Sequence, residues 1–265
     1  MTFETVAENL RESFRVIAAS RDVGEVRELP GVSIASAGVE FQMFNAAFLS
    51  GPVETETELS RSILMCSLQF NARGLEWAYW VCEDWLADKP RKRVRKIFEK
   101  HGLRQTAELP GMAAEKILPP TRLLPGIEVR RVRDARTGED FRGIGSVCFH
   151  VPLPWFNEVF DHDSVWDRFA AYVGYVDDVP VATTAIVASG GPAPLSGDIV
   201  GVYNVATVPD YRRRGYGEAV MRHALAEAER ERPSRPVVLQ STEAGLRLYE
   251  RMGFRAIGRF SVYAS

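Results

Sequence analysis

The sequence predicts an α/β (α+β) fold, a mixed sheet flanked by helices and built as two successive units. Three features carry that expectation: an apolar strand followed by a glycine loop and a helix after residue 200, a proline-rich break near the middle, and a worn repetition of the same order before the break. At 265 residues the chain is long for one compact α/β domain and sufficient for two small ones. Leu118 to Gly126 packs three prolines and a glycine into nine residues. Neither a helix interior nor a central strand accepts that density. The division is therefore 1–117 for the first unit, 118–126 for a linker and 127–265 for the second.

In the second unit, residues 127–132 read as a strand, 137–149 as a helix, and 170–187 as a hairpin turning at Val176 to Val179. Residues 201–208 form a strand, and a helix runs from about Gly217 to Glu229 with Ala219, Val220, Leu225 and Ala228 at helical spacing. The apolar strand at 236–240, a short helix around 245–252 stopped by Gly253, and a strand pair over 254–264 complete it. The first unit repeats part of this order. Phe44 to Phe48 (FNAAF) echoes Tyr203 to Thr207 (YNVAT), and Phe98 to Arg104 (FEKHGLR) echoes Tyr249 to Arg255 (YERMGFR). The spacing is 54 positions from Phe44 to Phe98 and 46 from Tyr203 to Tyr249, a difference that one loop absorbs. An internal duplication is the expectation.

Composition narrows the function. Hydrophobic residues at 46% and charged residues at 26% are those of an ordinary globular protein. A net charge of −2 supplies no global field for nucleic acid or an anionic membrane. The basic run Arg91 to Lys96 reads as a solvated helix face. No stretch reaches eighteen uninterrupted apolar residues and the N-terminus has no apolar signal core, so a cytoplasmic protein is expected. Cys66, Cys82 and Cys148 are odd in number, far apart and without metal-ligand spacing, and they read as buried thiols. No metal is expected.

Residues 212–217, Arg-Arg-Arg-Gly-Tyr-Gly, lie where a strand hands over to a helix. The first N–H groups of a helix lack intrahelical partners and converge on an anion. Gly215 and Gly217 permit a positive φ and a close backbone approach, while Arg212, Arg213 and Arg214 add charge. No Gly-Lys-Ser/Thr follows, which argues against a nucleotide-phosphate loop of another type.

With these residues the sequence resembles the GCN5-related N-acetyltransferase (GNAT) family, whose signature is an apolar strand, Gln/Arg-x-x-Gly-x-Gly/Ala, then a helix. Val205 to Gly217 carry the match, and a second block follows at Leu239-Gln240-Ser241-Thr242, Gly245 and Leu248 to Phe254. The resemblance covers about residues 127–265 and implies a mostly antiparallel sheet, here in tandem with a degenerate first copy. It implies acetyl-CoA as cosubstrate and a primary amine of a small molecule or peptide as acceptor, acetylated by direct attack. It places the pantetheine arm along the backbone of Ala206, Thr207 and Val208, and the phosphates at Arg212, Arg213, Arg214, Gly215, Tyr216 and Gly217. Thr242 stands where many members have Asn, and its hydroxyl can still bond the arm. Tyr249 is then the acid that protonates the leaving thiolate.

No base is assigned: His150, Asp161, His162, Asp163 and Glu243 are candidates, the first four flanking the aromatic segment Val151 to Phe156. That segment either faces the acceptor or packs against the first unit. In the first unit, the corresponding loop carries Glu54, Glu56 and Glu58 and no arginine, and Phe98 replaces Tyr249. This half is expected to bind no coenzyme and to serve as structure or as one wall of the acceptor site. The alternative for the whole chain is a non-catalytic acyl-CoA-binding sensor or scaffold.

Overall fold

The computed structural model describes residues 1–160, 162–191 and 197–265. The first half runs α1 (Phe3–Ala19), β1 (Glu25–Leu29), β2 (Val32–Ser36), β3 (Asn45–Leu49), α2 (Glu56–Asn71), β4 (Ala78–Cys82), α3 (Asp88–Lys100) and β5 (Arg104–Ala114). The second runs β6 (Glu128–Arg131), α4 (Ala135–Phe149), α5 (Leu153–Phe160), β7 (Ala170–Val176), β8 (Val179–Ser189), β9 (Ile199–Thr207), α6 (Tyr216–Glu231), β10 (Val237–Gln240), α7 (Glu243–Arg251) and β11 (Arg255–Ala264). The order β3-α2-β4-α3-β5 recurs as β9-α6-β10-α7-β11, with Phe98 on α3 and Tyr249 on α7. The duplication suggested by two short sequence echoes thus extends over five elements.

All strands join one eleven-stranded sheet in the order β1-β2-β3-β4-β11-β5-β10-β9-β8-β7-β6. Among the strands of the described residues, only β3 with β4 and β9 with β10 pair in parallel. The middle of this order matters most: β11 inserts between β4 and β5, and β5 between β11 and β10. Each half therefore closes its sheet with the other half's last strand. Residues 254–264, expected as a strand pair, are instead the single strand β11. Gly258 sits at a register shift between Ala256 and Gly258 rather than in a turn. A bulge adds twist without reversing the chain, so β11 continues far enough to pair β5 on one edge and β4 on the other.

Helices cover both faces. On one face α6 and α7 pack Val220, Met221, Ala224, Leu225, Tyr249 and Met252 against β7 to β10 and against Met112 and Ala114 of β5. Helices α2 and α3 do the same over β2 to β4. The opposite face carries α1, α4 and α5. Helix α1 belongs to the first half but lies across both: Val6, Leu10 and Ala18 pack with Ala35, Ala46, Ala113 and Val238. Its Asn9, fully buried, donates Nδ2 to Val187 O at 3.2 Å and Ser189 Oγ at 3.0 Å, and accepts from the Tyr203 hydroxyl at 2.6 Å. A Cβ at Gly201 would stand 1.7 Å from Asn9 Oδ1, so only glycine admits the asparagine onto β9.

Local chemistry explains the elements. Thr55 and Glu58 form a capping box on α2, and Asp134 with Thr137 does so on α4. Asp177 and Asp178, both at positive φ, make the two-residue turn of the β7–β8 hairpin. Cys66 and Cys82 are buried, and burial pushes both thiols up to about 12, whereas Cys148 is only half-buried. Among the described residues no helix is long and apolar enough to cross a membrane.

The exchanged strands give a first prediction. A chain starting at residue 121 lacks β5, which leaves β10 and β11 with unpaired edges inside the sheet. The full chain is expected to unfold in urea in one transition, by tryptophan fluorescence and circular dichroism alike, and residues 121–265 alone to be insoluble or without a cooperative transition. Two separate transitions in the full chain would show that the halves fold independently.

Candidate active site

The site lies where β9 and β10 part. Their parallel pairing is confined to Val237 with Val200 and Val238 with Gly201. Beyond it β9 carries a bulge: Asn204 and Val205 together oppose Thr184, and Asn204 adopts φ +49°. Asparagine is among the few residues that tolerate this conformation. The Thr183 hydroxyl donates to Asn204 O at 2.9 Å and holds the bulge. The extra residue bends β9 away from β10, leaving the edge of Val205 to Thr207 unpaired on that side.

The same place in the first half is shut. Ala46, Ala47 and Phe48, the counterparts of Val205 to Thr207, pair with Ala78, Tyr79 and Trp80 of β4. The β2–β3 register is unbroken, and Asn45, the counterpart of Asn204, keeps φ −124°. Its amide is consumed internally, donating to Val39 O at 2.6 Å and Glu76 O at 2.8 Å and accepting from Ser36 Oγ at 2.7 Å. Val53 extends the closure by bridging β4's continuation: its N–H donates to Trp85 O, and its carbonyl accepts from Ala87 N. Two of the three glutamates here are absorbed locally, and Glu54 is exposed. Glu58 caps α2, and Glu56 pairs with Arg93 at 2.9 Å.

At the open gap, the chain leaves β9 through Ala206, which is buried, and Thr207 and Val208, which are half-buried. It then passes a short 3-10 turn and enters α6. Gly215 caps this helix at φ +96°, and Arg213 sits at φ +62°. Alternating conformations of this kind turn successive N–H groups inward as an anion nest. The N–H groups of Arg214, Gly215, Tyr216, Gly217 and Glu218 donate to no backbone carbonyl among the described residues. A Cβ at Gly217 would stand 2.8 Å from Thr207 Oγ1, so glycine lets the helix start close to the strand.

The three loop arginines are exposed but differ in use. Arg212 Nε donates to Thr207 O at 2.9 Å and ties the loop to β9. Arg214 lies over the Tyr211 ring at 5.5 Å. Arg213 makes no ion pair or hydrogen bond among the described residues. Thr242 is the exposed N-cap of α7 and its side chain makes no cap bond, so its hydroxyl is free. Tyr249, 7% exposed, packs its ring against Phe254 at 5.9 Å and under Gly245. Burial pushes its hydroxyl up to about 12.

The remaining candidates do not converge. His150 is the left-handed C-cap of α4, and His162, Asp163 and Glu243 are exposed. Asp161 lies outside the described residues. The aromatic segment turns out to be packing between the halves: Phe156 and Phe160 are each 1% exposed, and Phe44 of the first half meets them edge-on at 5.6 and 6.1 Å. Sequence reading missed the bulge at Asn204. Its one visible signal was an asparagine inside an otherwise apolar strand.

Comparison with known proteins bears on the fold. Residues 167–256 match the family model described as an acetyltransferase (GNAT) domain. Among solved structures, a GCN5-related N-acetyltransferase from Kribbella flavida superposes with TM-score 0.70 at 17% identity, over 98% of this chain and 95% of that one. A functionally unknown conserved protein from Staphylococcus epidermidis gives 0.64 at 13%, over 92% and 94%. A tandem GNAT protein from the clavulanic acid biosynthesis pathway gives 0.54 at 8%, over 99% and 95%. No curated protein matches the sequence. Residues 167–256 thus resemble a GNAT domain, and the chain as a whole shares its fold with these structures, the tandem GNAT protein among them.

Replacing Gly217 with leucine drives a side chain into Thr207 and across the N–H cluster. It is expected to weaken acetyl-CoA binding by more than about tenfold, read by calorimetry, while the melting temperature shows the fold retained. Undiminished affinity would place the coenzyme elsewhere. The closed gap of the first half predicts one coenzyme per chain in the same titration, and two equivalent sites would contradict it.

Proposed function

We propose that the chain is an acetyl-CoA-dependent N-acetyltransferase that transfers an acetyl group to a primary amine of a small molecule or peptide by direct attack. The observation that carries this reading is the asymmetry between two copies of one unit. The second copy leaves a strand edge open beside a glycine-capped helix, and the first copy closes it. An unpaired backbone edge at a half-buried position is costly unless a ligand satisfies it, and an extended amide-bearing arm pairs with such an edge as an added strand.

In this reading Ala206, Thr207 and Val208 receive the pantetheine arm, with Arg212 giving up or sharing the Thr207 carbonyl. Residues 213–217 receive the phosphates, and the Thr242 hydroxyl bonds the arm. Residues 127–265 form the catalytic unit. Residues 1–117 support it through β5 and α1 and form a wall of the acceptor site, while 118–126 join the two.

The neutral amine nitrogen attacks the thioester carbonyl, the carbon–sulfur bond breaks, and the surplus proton on the nitrogen leaves to solvent, from which the Tyr249 hydroxyl is restored after it has served the thiolate. An alkylamine of pKa near 10.4 is mostly protonated at neutral pH, and freeing its lone pair costs about 4–5 kcal/mol. The departing thiolate, resembling cysteine with a pKa of about 8.5, takes a proton from the Tyr249 hydroxyl. A hydroxyl lifted to about 12 by burial stays protonated throughout the working range, as a proton donor must.

Two measurements test this. A thiol-release screen of acetyl-CoA against amine libraries should find an acceptor, and coenzyme binding without turnover on any amine would point to a non-catalytic module. With an acceptor in hand, Tyr249→Phe should lower kcat about ten- to a thousandfold with little change in acetyl-CoA affinity. The sign of the pH effect follows from the raised hydroxyl: Tyr249 does not ionise below about pH 10, so kcat should show no alkaline fall through this group up to that point. A fall centred near pH 8 to 9 that vanishes in Tyr249→Phe would show that the hydroxyl is not raised by burial, and an unchanged kcat in that variant would overturn the assignment.

A further inference from the structure

We propose that the linker between the two halves is part of the coenzyme site, with Arg122 donating to a phosphate of acetyl-CoA at the mouth of the Gly215–Gly217 loop; this rests on the function proposed above. The linker does not wander over the surface. Its start is tied on two sides, because Leu118 N donates to Met252 O at 2.9 Å and Leu118 O accepts from Arg222 Nη1 at 2.7 Å. Its end is tied by Ile127, which packs into the core beneath α6 and would meet a Cβ on Gly174 at 2.6 Å. Between these anchors the chain crosses the start of α6. A Cβ placed on Gly215 would lie 3.1 Å from Pro125 Cδ and 3.4 Å from Arg122 Nη2.

The charge of this arrangement has the wrong sign for structure alone. A helix N-terminus carries about half a positive charge and favours anions. Here Arg122 Nη2 is brought to that pole, at a loop whose sequence also carries Arg213 and Arg214, so like charge gathers on it. Arg122 makes no hydrogen bond or ion pair among the described residues, whereas Arg222 nearby is paired with Glu218 at 2.9 Å. Asp210 is the one carboxylate within the turn leading to the loop. A ligand carrying a diphosphate and a separate ribose phosphate would reverse the repulsion, and a guanidinium fork suits phosphate oxygens. The linker would then tie the two halves to the bound coenzyme.

The test uses the full chain, with calorimetry of acetyl-CoA and of acetyl-dephospho-CoA, which lacks the ribose phosphate. Arg122→Ala and Arg122→Gln are both expected to weaken acetyl-CoA binding about tenfold, with unchanged melting temperature because the side chain is exposed. A loss seen only with acetyl-CoA assigns Arg122 to the ribose phosphate, and an equal loss with both ligands assigns it to the diphosphate. An independent readout is tryptic cleavage after Arg122, where Leu123 is 97% exposed. Coenzyme should slow that cut in the wild-type chain. Wild-type affinity in both variants together with unprotected cleavage overturns the proposal and leaves the acetyltransferase reading standing. A wild-type chain that binds no acetyl-CoA overturns both.

Discussion

The antiparallel pairing of β5 with β11 holds the molecule together, since these two strands are the last of their respective halves and each lies inside the other's sheet. Remove either and the neighbouring strand, β4 or β10, loses its partner. Backbone groups buried without partners are costly, so the halves share one stability rather than two. The pairing also fixes where everything else lies. It sets the pseudo-symmetric relation of the two copies, brings Ala113 of β5 and Val238 of β10 under α1, and lets Asn9 reach across to β8 and β9.

Duplication supplies two equivalent gaps, and a single backbone choice separates them. Asn45 and Asn204 occupy the same place in the repeat. The first keeps an extended backbone and spends its amide on Val39 of its own loop and on Glu76 ahead of β4; the second turns left-handed and opens the strand. Closing the first gap gains three paired positions and the Val53 bridge. Opening the second forgoes such pairing, which is sustainable where a ligand supplies the missing partners. Phe98 follows the same logic. Without a hydroxyl to serve, its ring stacks on Tyr263 of the exchanged strand at 4.1 Å and becomes core.

Much of this was legible in the chain. The strand, glycine loop and helix at 200–230 could be read because a loop with two glycines at a helix start has few other uses, and because apolar periodicity there is strong. The proline-rich break and the echo between Phe98 and Tyr249 were legible too, being local patterns. The final strand was misread as two, since a glycine within eleven residues resembles a turn when its partners are unknown. The aromatic run at 151–156 stayed ambiguous for a similar reason: whether Phe156 faces a ligand or Phe44 depends on a contact more than a hundred residues distant.

The sequence by itself determined the order of most elements, the duplication and the strand, glycine loop and helix that begin at residue 201, because each rests on neighbours in the chain whose spacing sets periodicity, capping and turn geometry. Tertiary structure alone decided that the halves exchange strands, that one gap is open and the other zipped, and that the linker lies against Gly215. Those outcomes depend on which edges meet. Strand edges present the same N–H and carbonyl groups whatever the side chains, so partner choice is settled by packing of the whole sheet, beyond the reach of any local pattern.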